Sequence, residues 1–148
     1  MFEEIPGYKN WDTVQEVQAG WSKDRKFYVR DQNDDEWLLR LADIDVYHKK
    51  VSEFLRLQKF NSLHIPIPRA IDFGVCNAGK SVYMVLSWMR GVPLAKALTE
   101  LSAKAQYRLG VRAGQVLRAM HALPVEMQDI PKGNRLAYKH GKLWEYQN

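Results

Sequence analysis

Asp72-Phe73-Gly74, within "RAIDFGVC", spells the triplet whose aspartate holds the catalytic metal in phosphoryl-transfer sites. Glu53, in "KKVSEFLRLQKF", falls between Leu57 and Phe60 on a helical wheel, so its carboxylate faces inward with the apolar residues. An inward carboxylate needs a partner, because an unpaired buried charge is costly. Lys49 or Arg56 at helical spacing is a local choice worth only about 0.2–0.5 kcal/mol. Arg40, in "WLLRLA", is flanked by Leu39 and Leu41, and strand alternation points it to the face opposite both. Read alone, it is a solvated strand charge. A catalytic base is harder to find: none of His48, His64, His121 and His140 has an aspartate two residues on, as a His-x-Asp catalytic loop requires. Cys76 is the single cysteine and has no metal-ligand partner at a useful spacing.

The elements that must position these groups follow from periodicity. "TVQEVQ", "KFYVR" and "EWLLRLA" are short strands separated by turn formers, at Gly20 and at Asn33-Asp34-Asp35, which is hairpin spacing. From about Asp45 to Ser62 the pattern is helical, with Asp43 or Asp45 to cap the start. Val51, Phe54, Leu55, Leu57 and Phe60 form its apolar arc, and Lys49, Ser52, Arg56 and Lys59 the solvated face. "HIPIPR" stops it, since two prolines cannot continue a helix. "AIDFGV", a turn at Asn77-Ala78-Gly79-Lys80 and "SVYMVLSW" then make a second hairpin, its last strand apolar on both faces and so central. Beyond Gly91 come a short helix at "PLAKAL" and a long one capped by Ser102 and running to about His121. Gly110 and Gly114, four apart in it, suggest close packing with another helix. A last helix is expected over 135–147. The order is three strands, a helix, two strands, then helices: an α+β arrangement. A composition shift near residues 88–93 divides a sheet lobe, 1–90, from a helical segment, 91–148.

At 148 residues the chain has room for a core. Hydrophobic residues at 46% and charged residues at 26% suit a folded globular protein and exclude a disordered one. No apolar run reaches the ~20 residues of a membrane span, and "MFEEIPGYKN" is not a secretory signal. With one cysteine, a reducing, cytoplasmic setting is expected. The net charge of +5 raises nucleic acid as a partner, yet the basic residues are spread among 17 acids with no basic block. That pattern also suits a nucleotide-binding enzyme.

The chain resembles the aminoglycoside phosphotransferase family, which shares the kinase-like fold. The residues that carry the resemblance are "AGWSKDRKFYV", "WLLRLADI", "KKVSEFLRLQKFNSLHIPIPRAIDFGV" and "SVYMVLSWMRGVPL", in that order across more than a hundred residues. The resemblance implies a kinase-like small lobe, a five-stranded antiparallel sheet with one long helix, followed by helices at the start of a second lobe. It implies that Arg40 stands where the family places a phosphate-neutralising cation, and that Glu53 orients it, so an Arg40–Glu53 ion pair is expected. The hairpin Gly20-Trp21-Ser22-Lys23 corresponds to the loop that covers the phosphates, where backbone N–H groups and the Ser22 hydroxyl reach them. Ser87, Trp88 and Met89 form the connector whose backbone meets the adenine edge. ATP or GTP with Mg2+ is the implied cofactor, and a hydroxyl of an antibiotic the implied acceptor.

The same resemblance disposes of the triplet. In kinase-like enzymes the metal aspartate follows both the connector and the catalytic loop, whereas Asp72 precedes "LSWMRG" and lies in strand four. With no His-x-Asp loop and no downstream acid cluster, the chain is expected to be the N-terminal portion of a phosphotransferase, binding nucleotide but inactive alone, with no catalytic or metal residue of its own. Helical surface left exposed is expected to drive self-association, by exchange of the C-terminal helix between copies. Alternatives are a choline, ethanolamine, sugar or macrolide kinase of the same fold, or a non-catalytic domain that binds protein or nucleic acid. Nucleotide titration separates the last from the rest.

Overall fold

The computed structural model describes residues 2–18, 20 and 22–124. Expectations for Trp21 and for the helix over 135–147 lie outside the described residues. Alternating sequence and turn chemistry produce five strands: β1 (Trp11–Glu16), β2 (Arg25–Asp31), β3 (Glu36–Asp43), β4 (Ala70–Cys76) and β5 (Ser81–Ser87). Helix α1 (Tyr47–Phe60) lies between β3 and β4, and α2 (Leu94–Leu98) and α3 (Ala103–His121) follow β5. The strands form one antiparallel sheet in the order β1-β2-β3-β5-β4. β3 is therefore central, and whatever it carries is held from both sides.

Turn chemistry fixes the register. Asp31 Oδ1 accepts the N–H groups of Asn33 (2.8 Å) and Asp35 (3.0 Å), closing the β2–β3 turn around Asp34, whose φ of 63° is left-handed. The Asp43 carboxylate accepts from the N–H of Asp45 at 2.9 Å and starts the helical turn that leads into α1. Ser102 caps α3 through the Ala105 N–H. The far end of α1 is clamped to β4: the Asn61 side chain donates to the Ala70 carbonyl (2.8 Å) and accepts from the Ala70 N–H (3.0 Å).

Each face of the sheet is covered differently. On one, Phe54 of α1 packs with Ala70, Met84 and Leu86, joined by Leu38, Leu57 and Phe73. On the other, Phe27, Val29, Leu39, Leu41, Tyr83 and Val85 are covered by the N-terminal segment through Ile5, Phe2 and Trp11. The arc of α1 that meets the sheet is narrower than its apolar sequence suggests. Leu55 is 51% exposed, being turned about 120° on the wheel from the line through Phe54 and Leu57. Lys50 instead lies within that line and is only 8% exposed.

The strand that spells Asp72-Phe73-Gly74 uses each letter for packing. Asp72 Oδ2 accepts the Tyr83 hydroxyl at 3.0 Å, and Phe73 stacks beside Phe54 and Tyr47 of α1. Gly74 makes room for the Tyr83 ring: a Cβ there would stand 2.7 Å from its Cε1 and Oη. Gly110 and Gly114 behave differently from expectation. A Cβ at either meets no atom within 4 Å among the described residues, so no helix crossing is packed against them there. No residue of α3 is buried, and Tyr107, Leu109, Val111 and Leu117 are exposed. No described helix is long and apolar enough to cross a membrane.

Candidate functional site

Arg40 projects from the centre of β3 on the α1 face, opposite Lys26 of β2 and Met84 of β5. Its guanidinium meets Glu53 of α1, with Nη1 to Oε1 at 2.6 Å. The expected ion pair is present, and it is part of something larger. Asp24, at the end of the β1–β2 hairpin, receives Arg40 Nε at 2.9 Å and Nη2 at 2.5 Å on the same oxygen, Oδ2. Lys50 completes a ring, its Nζ lying 2.6 Å from Asp24 Oδ2 and 3.0 Å from Glu53 Oε2. Two cations and two carboxylates thus alternate around a closed circuit.

The electrostatics of the circuit follow from its burial. The Asp24, Lys50 and Arg40 side chains are 8%, 10% and 15% exposed, and Glu53 is more open at 29%. Burial alone pushes the Asp24 carboxyl up, but hydrogen bonds and charge from Lys50 and Arg40 outweigh it and hold its pKa below the ordinary value. Glu53 is held down in the same way, burial opposing and Lys50 and Arg40 prevailing. Both carboxylates stay ionised, so the circuit sums to no net charge.

The circuit opens onto a cavity of about 600 Å³ whose lining includes Ser22, Lys23, Lys49 and Asp43. Ser22 is therefore at the site, and its Oγ accepts from the Asp24 N–H at 3.0 Å, shaping the hairpin that carries Asp24. Gly20, with φ of 97°, takes the left-handed conformation that lets the hairpin turn. Lys26 Nζ donates to the Ser22 carbonyl at 3.3 Å and ties the hairpin to β2.

The connector is fastened to the sheet. Ser87 N–H donates to the Arg69 carbonyl and Trp88 N–H to the Glu36 carbonyl, so both amides are used by the protein itself. Met89 has the first connector N–H without a partner among the described residues. The Trp88 ring meets Tyr28 edge-on at 4.9 Å, and Tyr28 donates to Glu36 Oε1 at 2.7 Å while Arg90 Nε reaches Glu36 Oε2 at 2.6 Å. Tyr28 and Leu38 continue the face of Lys26 and Arg40 by strand alternation. One side of the sheet therefore runs from a hairpin with its paired charges, past Leu38, to an aromatic connector.

Comparison with known proteins gives this layout its relatives. The phosphotransferase enzyme family matches residues 13–147. The chain belongs to this phosphotransferase family. No curated protein matches it. Membership supports a kinase-like phosphotransfer function, with the use of a nucleotide and a metal that this chemistry generally entails. In the phosphotransferase, Arg40 and Glu53 are where sequence reasoning put them, while Asp24 and Lys50 were not foreseen. A signal existed for each. Lys50 lies between Phe54 and Leu57 on the wheel, and Asp24 continues the alternation of Lys26 and Tyr28.

Proposed function

We propose that this phosphotransferase chain is the nucleotide-gripping part of a small-molecule kinase that moves the γ-phosphate of ATP or GTP to an aminoglycoside hydroxyl. The observation that carries the reading is the Arg40–Glu53–Lys50–Asp24 circuit on the α1 face, beside an open cavity. Arg40 and Lys50 bind phosphate oxygens, the first through a planar fork and the second as a point charge. Glu53 holds both cations in place. A triphosphate that reaches them competes with Asp24 for the same donors, so the β1–β2 hairpin yields as the phosphates enter. The Ser22 hydroxyl and the hairpin backbone cover the phosphates, and the Met89 N–H meets the edge of the base.

Among the described residues no three His, Cys, Asp or Glu side chains converge. No step is assigned to Mg2+, which takes one or two carboxylates together with the phosphates of its nucleotide. No histidine of the 148 is followed two residues later by aspartate, so the base for the acceptor hydroxyl is not offered in that spacing either. On this reading the chain alone grips nucleotide without turning it over.

Two measurements test the reading. ATP or GTP raises the melting temperature of the purified chain, since a ligand that binds only the folded state stabilises it. No phosphate passes to an aminoglycoside in the same mixture. An unchanged melting temperature rejects the nucleotide site, and turnover rejects the division of labour.

A further inference from the structure

The sheet face turned away from α1 holds a second cavity, of about 310 Å³. Val29, Leu39 and Val85 of the sheet line it, together with Trp11 and Trp37. Two carboxylates also line it, Asp31 and Asp72, and no lysine, arginine or histidine does. It shares no residue with the Arg40 cavity.

We propose that this cavity binds a small organic cation, an ammonium group carried on an apolar body. Asp31, 7% exposed, accepts only from neutral donors: the N–H groups of Asn33 and Asp35, and the Asn33 side-chain amide at 3.5 Å. Asp72 likewise accepts from the Phe73 N–H at 2.8 Å and the Tyr83 hydroxyl. Dipoles satisfy these oxygens without cancelling their charge, and neither carboxylate is ion-paired with a described residue. The irregular register between Ala70 and Asp72 places Asp72 opposite Val85, on the cavity side, and Gly74 admits the Tyr83 ring that holds it there.

The walls then select the ligand. Indole faces attract cations, most strongly where water is excluded, and the negative carboxylates repel anions. A mostly hydrocarbon lining replaces the hydration shell of an alkylammonium ion far better than that of a metal ion, which wants six or more oxygens. The charge pattern and the aromatic walls therefore agree on one class of ligand. The inference does not depend on nucleotide binding, because it uses the other face of the sheet.

The probe is benzyltrimethylammonium, followed by calorimetric titration of the whole chain, with benzyl alcohol as the uncharged comparison. The wild-type chain binds the cation, and benzyl alcohol binds far more weakly. The double substitution Asp31→Asn and Asp72→Asn weakens the cation by at least about tenfold and leaves the response to ATP unchanged. Should the double variant not fold, each single Asn variant gives the same reading with a smaller loss. Absence of binding to the wild type at millimolar probe overturns the proposal, as does equal binding by the Asn variants or by benzyl alcohol.

Discussion

Asp24→Asn sets folding against binding. Three donors converge on Asp24 Oδ2, from Arg40 Nε (2.9 Å), Arg40 Nη2 (2.5 Å) and Lys50 Nζ (2.6 Å). Asparagine keeps the shape and one accepting oxygen but removes a charge, so the neutral circuit becomes singly positive. Removing one partner of a buried pair costs about 3–5 kcal/mol when the other charge is stranded. Here Arg40 and Lys50 keep Glu53, and the loss falls to about 2–3 kcal/mol, or about 4–12 °C in melting temperature. Nucleotide binding moves the other way. At 4 Å and an effective dielectric constant near 20, unit charges interact by about 4 kcal/mol. Solvent at the open cavity reduces this to about 1–2 kcal/mol, which tightens ATP by about 5- to 30-fold. Thermal unfolding reads the first effect and calorimetric titration with a non-hydrolysable ATP analogue the second. A variant that loses stability and also binds the analogue more weakly refutes competition and makes Asp24 an organiser of the cations.

Further outcomes follow from the same contacts. Asp24 and Glu53 have lowered carboxyl pKa values in the fold, so their stabilisation is complete above the unfolded carboxylate value, near 4, and is lost as pH falls through the folded one. Arg40→Met removes one of the two counter-charges and moves this acid-side fall to higher pH, as followed by circular dichroism. Tyr83 behaves oppositely: burial first, then its hydrogen bond to Asp72, pushes its pKa from 10.0 up to about 12. Its contribution is full below pH 10.0 and fades as pH rises towards about 12, so Tyr83→Phe flattens that part of the alkaline unfolding curve. Gly74→Ala drives a methyl group into the Tyr83 ring and costs about 1–3 kcal/mol in denaturant unfolding. In a Tyr83→Leu background the same change costs less, and equal costs in the two backgrounds would contradict the contact.

Much of this arrangement was legible in the residues because it depends on short-range rules. Alternation about Arg40 and the wheel position of Glu53, read with the family resemblance, set them facing each other. The turn formers at Asn33-Asp34-Asp35 and Asn77-Ala78-Gly79 marked the hairpins. What escaped was long-range. Asp24 is distant in sequence from both of its cationic partners, and only the β2–β3 register brings it to Arg40. Lys50 was hidden by its charge: a lysine among Phe54 and Leu57 is unexpected until two carboxylates face it. Leu55 misled for the opposite reason, since being apolar does not oblige a residue to be buried. The connector amides divided by strand pairing, with Ser87 bonded to Arg69 beside β4 and Trp88 to Glu36 of β3, and side-chain types carry no signal of that.

The central claim is that the charge circuit on the α1 face grips a nucleotide's phosphates. Calorimetric titration of ATP and GTP into the wild-type chain and into Arg40→Met tests it most directly, with circular dichroism to show that both are folded. Saturable binding by the wild type and its loss in the variant is the predicted result. A folded Arg40→Met protein that binds nucleotide as tightly as the wild type would contradict the account.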